Sequence, residues 1–134
     1  MISKNKIVIG SHFGGLGDHL FLTPIPRLIK IKFPSAKVFL SARSKFRSWE
    51  IYKFVWENNP YLDGVICENI DNNIFKKSKV KEGCKVMDNI LNNLEIDFIP
   101  GEIKPEVYFI EKYLKNQTSV EFKNRVLIDM NYIS

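Results

Sequence analysis

Asp18 closes a glycine-rich run, Ser11-His12-Phe13-Gly14-Gly15-Leu16-Gly17-Asp18-His19-Leu20. A carboxylate in that setting has two uses. It can cap the helix that follows, contributing about 1 kcal/mol, or it can take a proton from a substrate hydroxyl as a general base. Gly14, Gly15 and Gly17 can take φ > 0 and let a ligand or a second stretch of backbone approach closely. Three glycines in four positions are more than one tight turn needs. The N–H groups at the start of the next helix favour an anion or polar ligand. His12 reads either as a group that orients a substrate or as a surface loop residue, and His19 reads as structural. Arg43, in a later loop, can meet a substrate phosphate or carboxylate, or stand in solvent.

The elements that must position these residues alternate in type. Ile7-Val8-Ile9 is an apolar run of buried-strand type, predicting a first strand over 6–11. A helical pattern from about Gly17 to Phe33 carries Leu20, Phe21, Ile25, Leu28 and Ile29 on one face. Pro24 and Pro26 lack the N–H a helix interior needs, so a kink or a second helix start is expected there. Strands are predicted over 37–42 and 63–67, with a helix over 49–57 that Ser48 can cap and that has Trp49, Tyr52, Phe54 or Val55, and Trp56 as packing candidates. This order implies a right-handed βαβ arrangement, hence an α/β, Rossmann-like parallel sheet with flanking helices. Ligands of such sheets bind outside the carboxyl ends of the strands, where Asp18 sits. Further on, residues 68–85 read as a lysine-rich loop and Val86–Leu94 as a helix with Val86, Met87, Ile90, Leu91 and Leu94 on one face. Short extended segments are expected over 97–100 and 105–110, a helix over 111–116 and a last strand over 125–130. That strand has little after it, as if a further unit began there.

Composition narrows the classes. The chain has 134 residues, a size for one domain with a real core, and 45% hydrophobic content. No apolar run approaches the ~18 residues of a membrane span, and no signal-peptide pattern opens the chain, so a cytoplasmic protein is expected. The net charge of +5 is carried by sixteen lysines against four arginines. Base and phosphate recognition favours Arg, so nucleic acid is not the expected partner. A contact through the lysines of 76–85 would show affinity falling steeply with salt. Cys67 ends an apolar strand pattern and reads as a small core residue; Cys84 lies in the lysine-rich loop.

Several chemistries fail on spacing. A Walker loop needs Gly-Lys-Ser/Thr where this chain has Gly17-Asp18-His19. A dinucleotide fingerprint wants a third glycine where Leu20 stands, and an acid near Ser41 and Arg43. His12 and His19 have no third ligand, so no metal is expected. No serine or cysteine elbow is present.

The run Gly14-Gly15-Leu16-Gly17-Asp18-His19-Leu20-Phe21-Leu22-Thr23-Pro24 resembles the opening motif of family 9 glycosyltransferases, the heptosyltransferase-like enzymes. Arg27-Leu28, Lys32-Phe33-Pro34 and Lys37-Val38-Phe39-Leu40 are similar to that family's first helix end and second strand. Asn59-Pro60-Tyr61-Leu62-Asp63-Gly64-Val65-Ile66 is similar to its Asn-Pro-Tyr turn and third strand. Lys104-Pro105-Glu106-Val107-Tyr108-Phe109 looks like the segment before its interdomain linker, and Arg125-Val126-Leu127-Ile128 like the first strand of a second domain. The likeness is close over 7–66 and loose over 67–134, where the stretch before the linker-like segment is shorter than in the family.

The resemblance implies the N-terminal half of a GT-B fold: a Rossmann-like acceptor-binding domain over 1–124, and over 125–134 the start of a linker or second domain. It implies an inverting sugar transfer from a nucleotide-sugar to a glycan or lipopolysaccharide-type, lipid-linked saccharide acceptor. The nucleotide-sugar is a co-substrate rather than a cofactor, held by a domain outside this sequence. Asp18 would be the catalytic base, and His12, Gly14, Gly15, Leu16, Gly17 and Arg43 the acceptor-binding residues. A cytoplasmic location is implied, with peripheral contact with the inner membrane surface allowed. The alternative from another class is a non-catalytic Rossmann-like binding or interaction module.

Overall fold

A computed structural model describes residues 5–76, 86–99 and 102–109. Three strands, β1 (Lys6–Ile9), β2 (Lys37–Ser41) and β3 (Gly64–Ile66), form one sheet in the order β1-β2-β3. Both pairings are parallel, with Lys6 opposite Lys37 and Ile9 opposite Leu40, then Phe39 opposite Gly64 and Ser41 opposite Ile66. The helices are α1 (Leu16–Leu22), α2 (Ile25–Lys32), α3 (Trp49–Val55) and α4 (Val86–Asn93), with a short 3₁₀ turn at Asn72–Phe75. The architecture is α/β: a small parallel sheet with flanking helices, in a Rossmann-like arrangement.

Successive residues Ile7, Val8 and Ile9 are all buried, as a strand covered on both faces requires. Ile7, Ile9, Val38 and Leu40 from the sheet join Leu22, Ile25, Ile29, Val55 and Trp56 from the helices in one core, which Ile90 and Leu91 of α4 extend. The element expected over 17–33 is two helices. Pro24 precedes α2 and Pro26 lies in its first turn, where a missing N–H costs nothing. The carbonyl of Leu20, which Pro24 cannot serve, accepts instead from the Thr23 N–H at 3.2 Å and the Thr23 hydroxyl at 2.6 Å. The Thr23 hydroxyl in turn accepts from the Glu106 N–H at 2.8 Å, and Glu106 pairs with Arg27 at 2.6 Å. The break between the helices is thus fastened from outside by the segment 102–109.

At the amino end of the sheet Asp63 is a hub. Its Oδ2 accepts from the Val38 N–H at 2.8 Å and from Lys30 at 2.6 Å, and its Oδ1 from Lys37 at 3.0 Å. Burial pushes this carboxyl up, but the bonds from Lys30, the Val38 N–H and Lys37 outweigh it and hold the group down at about 2. On the outer edge of β1, Asp71 pairs twice with Val8: its N–H donates to the Val8 carbonyl at 2.9 Å, and its Oδ2 accepts from the Val8 N–H at 2.8 Å.

Some expectations are corrected. The strands are shorter than the apolar runs suggest, β1 stopping at Ile9 and β2 at Ser41. Cys67 is exposed rather than in the core, because β3 is an edge strand that ends before it. Trp49 is 58% exposed and stacks on Tyr52, leaving Trp56, the C-cap of α3, as the buried indole. Ser48 has the extended backbone of an N-cap but makes no side-chain cap bond. Residues 97–99 and 105–109 form no strand. Val86 is exposed while Met87, Ile90, Leu91 and Leu94 are buried. Cys84, the lysines from 77 to 85, the helix expected over 111–116, the strand over 125–130 and the boundary at 124/125 lie outside the described residues. No helix of the described residues is long and apolar enough to cross a membrane.

Candidate functional site

The glycine loop begins where β1 leaves the sheet. Gly10 is its tightest point: a Cβ there would stand 2.2 Å from Ser44 Oγ and 3.0 Å from Ile70. Gly10 lies outside the glycine run that marks the loop in the sequence, and its place at the end of a buried strand is the signal it carries. Next, the Ser11 hydroxyl accepts from the Phe13 N–H at 3.1 Å and turns the chain. The neighbouring loop, 43–48, is stitched alongside. The Lys45 N–H donates to the Ser11 carbonyl at 3.0 Å and the Arg47 N–H to the Gly14 carbonyl at 2.9 Å.

The glycines have different reasons. A Cβ on Gly14 would meet the Arg47 backbone nitrogen at 3.0 Å, so Gly14 admits a second stretch of chain. Gly15 is buried, in ordinary extended backbone, as the N-cap of α1. A Cβ on Gly17 would meet nothing within 4 Å. Positive φ is not what these positions require, since among the described residues the glycine in that region is Gly64.

His19 faces into the protein. The Trp56 indole N–H donates to its Nδ1 at 3.0 Å, which leaves the proton on Nε2 to donate to the Lys45 carbonyl at 2.7 Å. Phe46 stacks on the ring with centroids 4.3 Å apart. Burial pushes the imidazole below its ordinary value of 6.5, partly opposed by the bond to Lys45 and the nearby Asp18 carboxylate. His19 is therefore a neutral, fully buried strut between the two loops.

On the other side of the loop lies a pocket of about 520 Å³. Phe13, Phe21, Leu22, Phe75 and Val86 form its apolar walls, and Ser11, His12, Gly17 and Asp18 complete it. Asp18 is exposed, and its Oδ2 accepts from the Gly15 N–H at 3.1 Å. Among the described residues its Oδ1 accepts no bond. His12 donates from Nε2 to the Asn72 amide oxygen at 3.0 Å and sets its ring edge-on to Phe75, 5.9 Å between centroids.

Of the residues singled out in the sequence, the structure thus brings His12, Gly17 and Asp18 to one pocket. Gly14 and Gly15 form the turn behind it, and Leu16 packs on the core. Arg43 stands apart, its guanidinium donating to Asn69 at 2.6 Å. The pocket walls Phe13, Phe75 and Val86 were not singled out as binding residues; an exposed phenylalanine inside a glycine loop was the signal for the first of them. Among the described residues no group of His, Cys, Asp or Glu converges as a metal site. No protein-family model, curated protein or solved structure matches the chain.

Proposed function

We propose that this chain is the acceptor-binding half of an inverting, GT-B type glycosyltransferase resembling the heptosyltransferase-like enzymes, with Asp18 as general base. The observation that carries the reading is the exposed Asp18 carboxylate on the rim of a pocket at the carboxyl end of a parallel sheet, with one oxygen left for a ligand. In the proposed step the acceptor hydroxyl gives its proton to Asp18 as its oxygen attacks the anomeric carbon of a nucleotide-sugar. The bond from that carbon to the nucleotide diphosphate breaks, and the diphosphate leaves with the electron pair. The new glycosidic bond forms on the opposite face, so no sugar–enzyme intermediate is needed. The donor is held outside the described residues, and the acceptor is a glycan or lipid-linked saccharide met on the cytoplasmic side of a membrane.

The test is transfer from ADP-, UDP- and GDP-sugars by the full-length protein and its Asp18→Asn variant. Transfer should fall by about 10²–10⁴, with an unfolding midpoint close to that of the parent. A marked loss of stability with transfer retained per folded molecule would make Asp18 a cap only. A non-catalytic binding module is the second reading. It is favoured by the Gly15–Asp18 hydrogen bond, which gives the carboxylate a capping role without any substrate. That reading expects ligand binding and no transfer under any donor.

A further inference from the structure

We infer that the pocket beside Asp18 holds the hydrocarbon chain of the acceptor, so that the accepting sugar is the one joined directly to that chain through a neutral link. The inference rests on Asp18 being the acceptor-side base. It starts from a mismatch between the pocket and a bare saccharide. A sugar ring brings several hydroxyls, and each needs a partner when it leaves water. The walls offer few. The Ser11 hydroxyl is buried and accepts from the Phe13 N–H, keeping its O–H as a donor, and His12 spends Nε2 on Asn72 and keeps Nδ1. With the Asp18 carboxylate these are three polar side chains, too few for the several hydroxyls of a buried sugar ring. The rest of the lining is Phe13, Phe21, Leu22, Phe75 and Val86.

The size fits an apolar guest. The volume of about 520 Å³ lies within the roughly 300–1,000 Å³ of small-ligand sites. Phe13 and Val86 are 69% and 62% exposed, apolar surface that a guest would remove from water. Charge then selects the link. A chain joined to its sugar through phosphate would set an anion against the Asp18 carboxylate, which repels it. A glycosidic or ether link sets a neutral oxygen there, with a sugar hydroxyl next to it to give its proton to Asp18. Because Asp18 itself lines the pocket, there is no room for a long oligosaccharide between chain and accepting hydroxyl.

The experiment titrates the full chain with hexyl, octyl and decyl glucosides below their micelle concentrations, by calorimetry, with methyl glucoside and octyl phosphate as controls. Affinity should rise about fourfold per buried methylene, the equivalent of about 0.8 kcal/mol, and level off when the pocket is full. Octyl phosphate and methyl glucoside should each bind more weakly than octyl glucoside by about tenfold or more. Val86→Glu and Phe13→Ser should each weaken octyl glucoside severalfold, with folded-state circular dichroism unchanged because both side chains are exposed. Equal binding of methyl glucoside, no dependence on chain length, indifference to both variants or no binding at all would overturn the inference. Chain-length-dependent binding without Asp18-dependent transfer leaves the pocket's guest in place and removes the transferase reading. Asp18-dependent transfer to tail-less acceptors does the reverse.

Discussion

The two ends of the parallel sheet use the same residue type in opposite ways. At the amino end Asp63 accepts from two lysines and one backbone N–H. At the carboxyl end Asp18 accepts from one backbone N–H and faces a pocket. A carboxylate whose lone pairs are filled by fixed donors holds elements together; one with capacity left over can take a proton from something that arrives. The carboxyl end repeats the contrast on a smaller scale. His19 fills both ring nitrogens inside the protein, while His12 points one toward Asn72 at the surface. The sealed side of the glycine loop fixes where the open side stands.

Substitutions at these positions should separate the two kinds of site. Asp18→Asn should cost the proposed sugar transfer about 3–5 kcal/mol of barrier and leave denaturant unfolding nearly unchanged; the opposite pattern would erase the contrast between the two aspartates. His19→Ala should cost about 3 kcal/mol of stability, measured by denaturant unfolding, because it opens a cavity and strands the Trp56 N–H and the Lys45 carbonyl. Asp63→Ala should cost about 2 kcal/mol of stability while the proposed transfer, per folded molecule, stays at the parent level.

The native pH profile distinguishes the same groups. Asp63 titrates lower in the folded than in the unfolded state, so its contribution is complete above pH 3.8 and is lost as pH falls toward about 2. His19 is also held below its ordinary 6.5, so the unfolded state takes up the proton first. Its share of stability is therefore lost from about that pH downward. Unfolding midpoints between pH 7 and pH 5 should fall in the parent and stay flatter in His19→Ala. The smallest effects belong to the glycines. Gly17→Ala should be neutral or stabilising by up to about 1 kcal/mol, since its Cβ meets nothing, whereas Gly14→Ala should destabilise against the Arg47 backbone.

The sheet and helices were legible because their signals are local. Ile7-Val8-Ile9 reads as a doubly covered strand, and Pro24 with Pro26 marks the place where one helical pattern becomes two. Cys67 was misread because a short apolar run looks the same whether its strand is central or at an edge, and only neighbours decide. Trp49 opens α3 and Trp56 follows its last residue, and the indole the core takes is the one that reaches His19, a partner 37 residues away in sequence from Trp56. Asp18 and the glycine loop could be found from the sequence. The pocket could not, since Phe75 and Val86 reach it from elements more than fifty residues further along. The roles of Asp63 and Asp71 are hidden for the same reason, as their work is done on Val38 and Val8.

Asp71 has a consequence for how the sheet can grow. By answering both the N–H and the carbonyl of Val8, one residue imitates a neighbouring strand at the middle of β1. An incoming segment that sought to template on that border would first have to evict it. Recruitment of foreign chain along this border, whether in aggregation or in assembly, is thereby opposed.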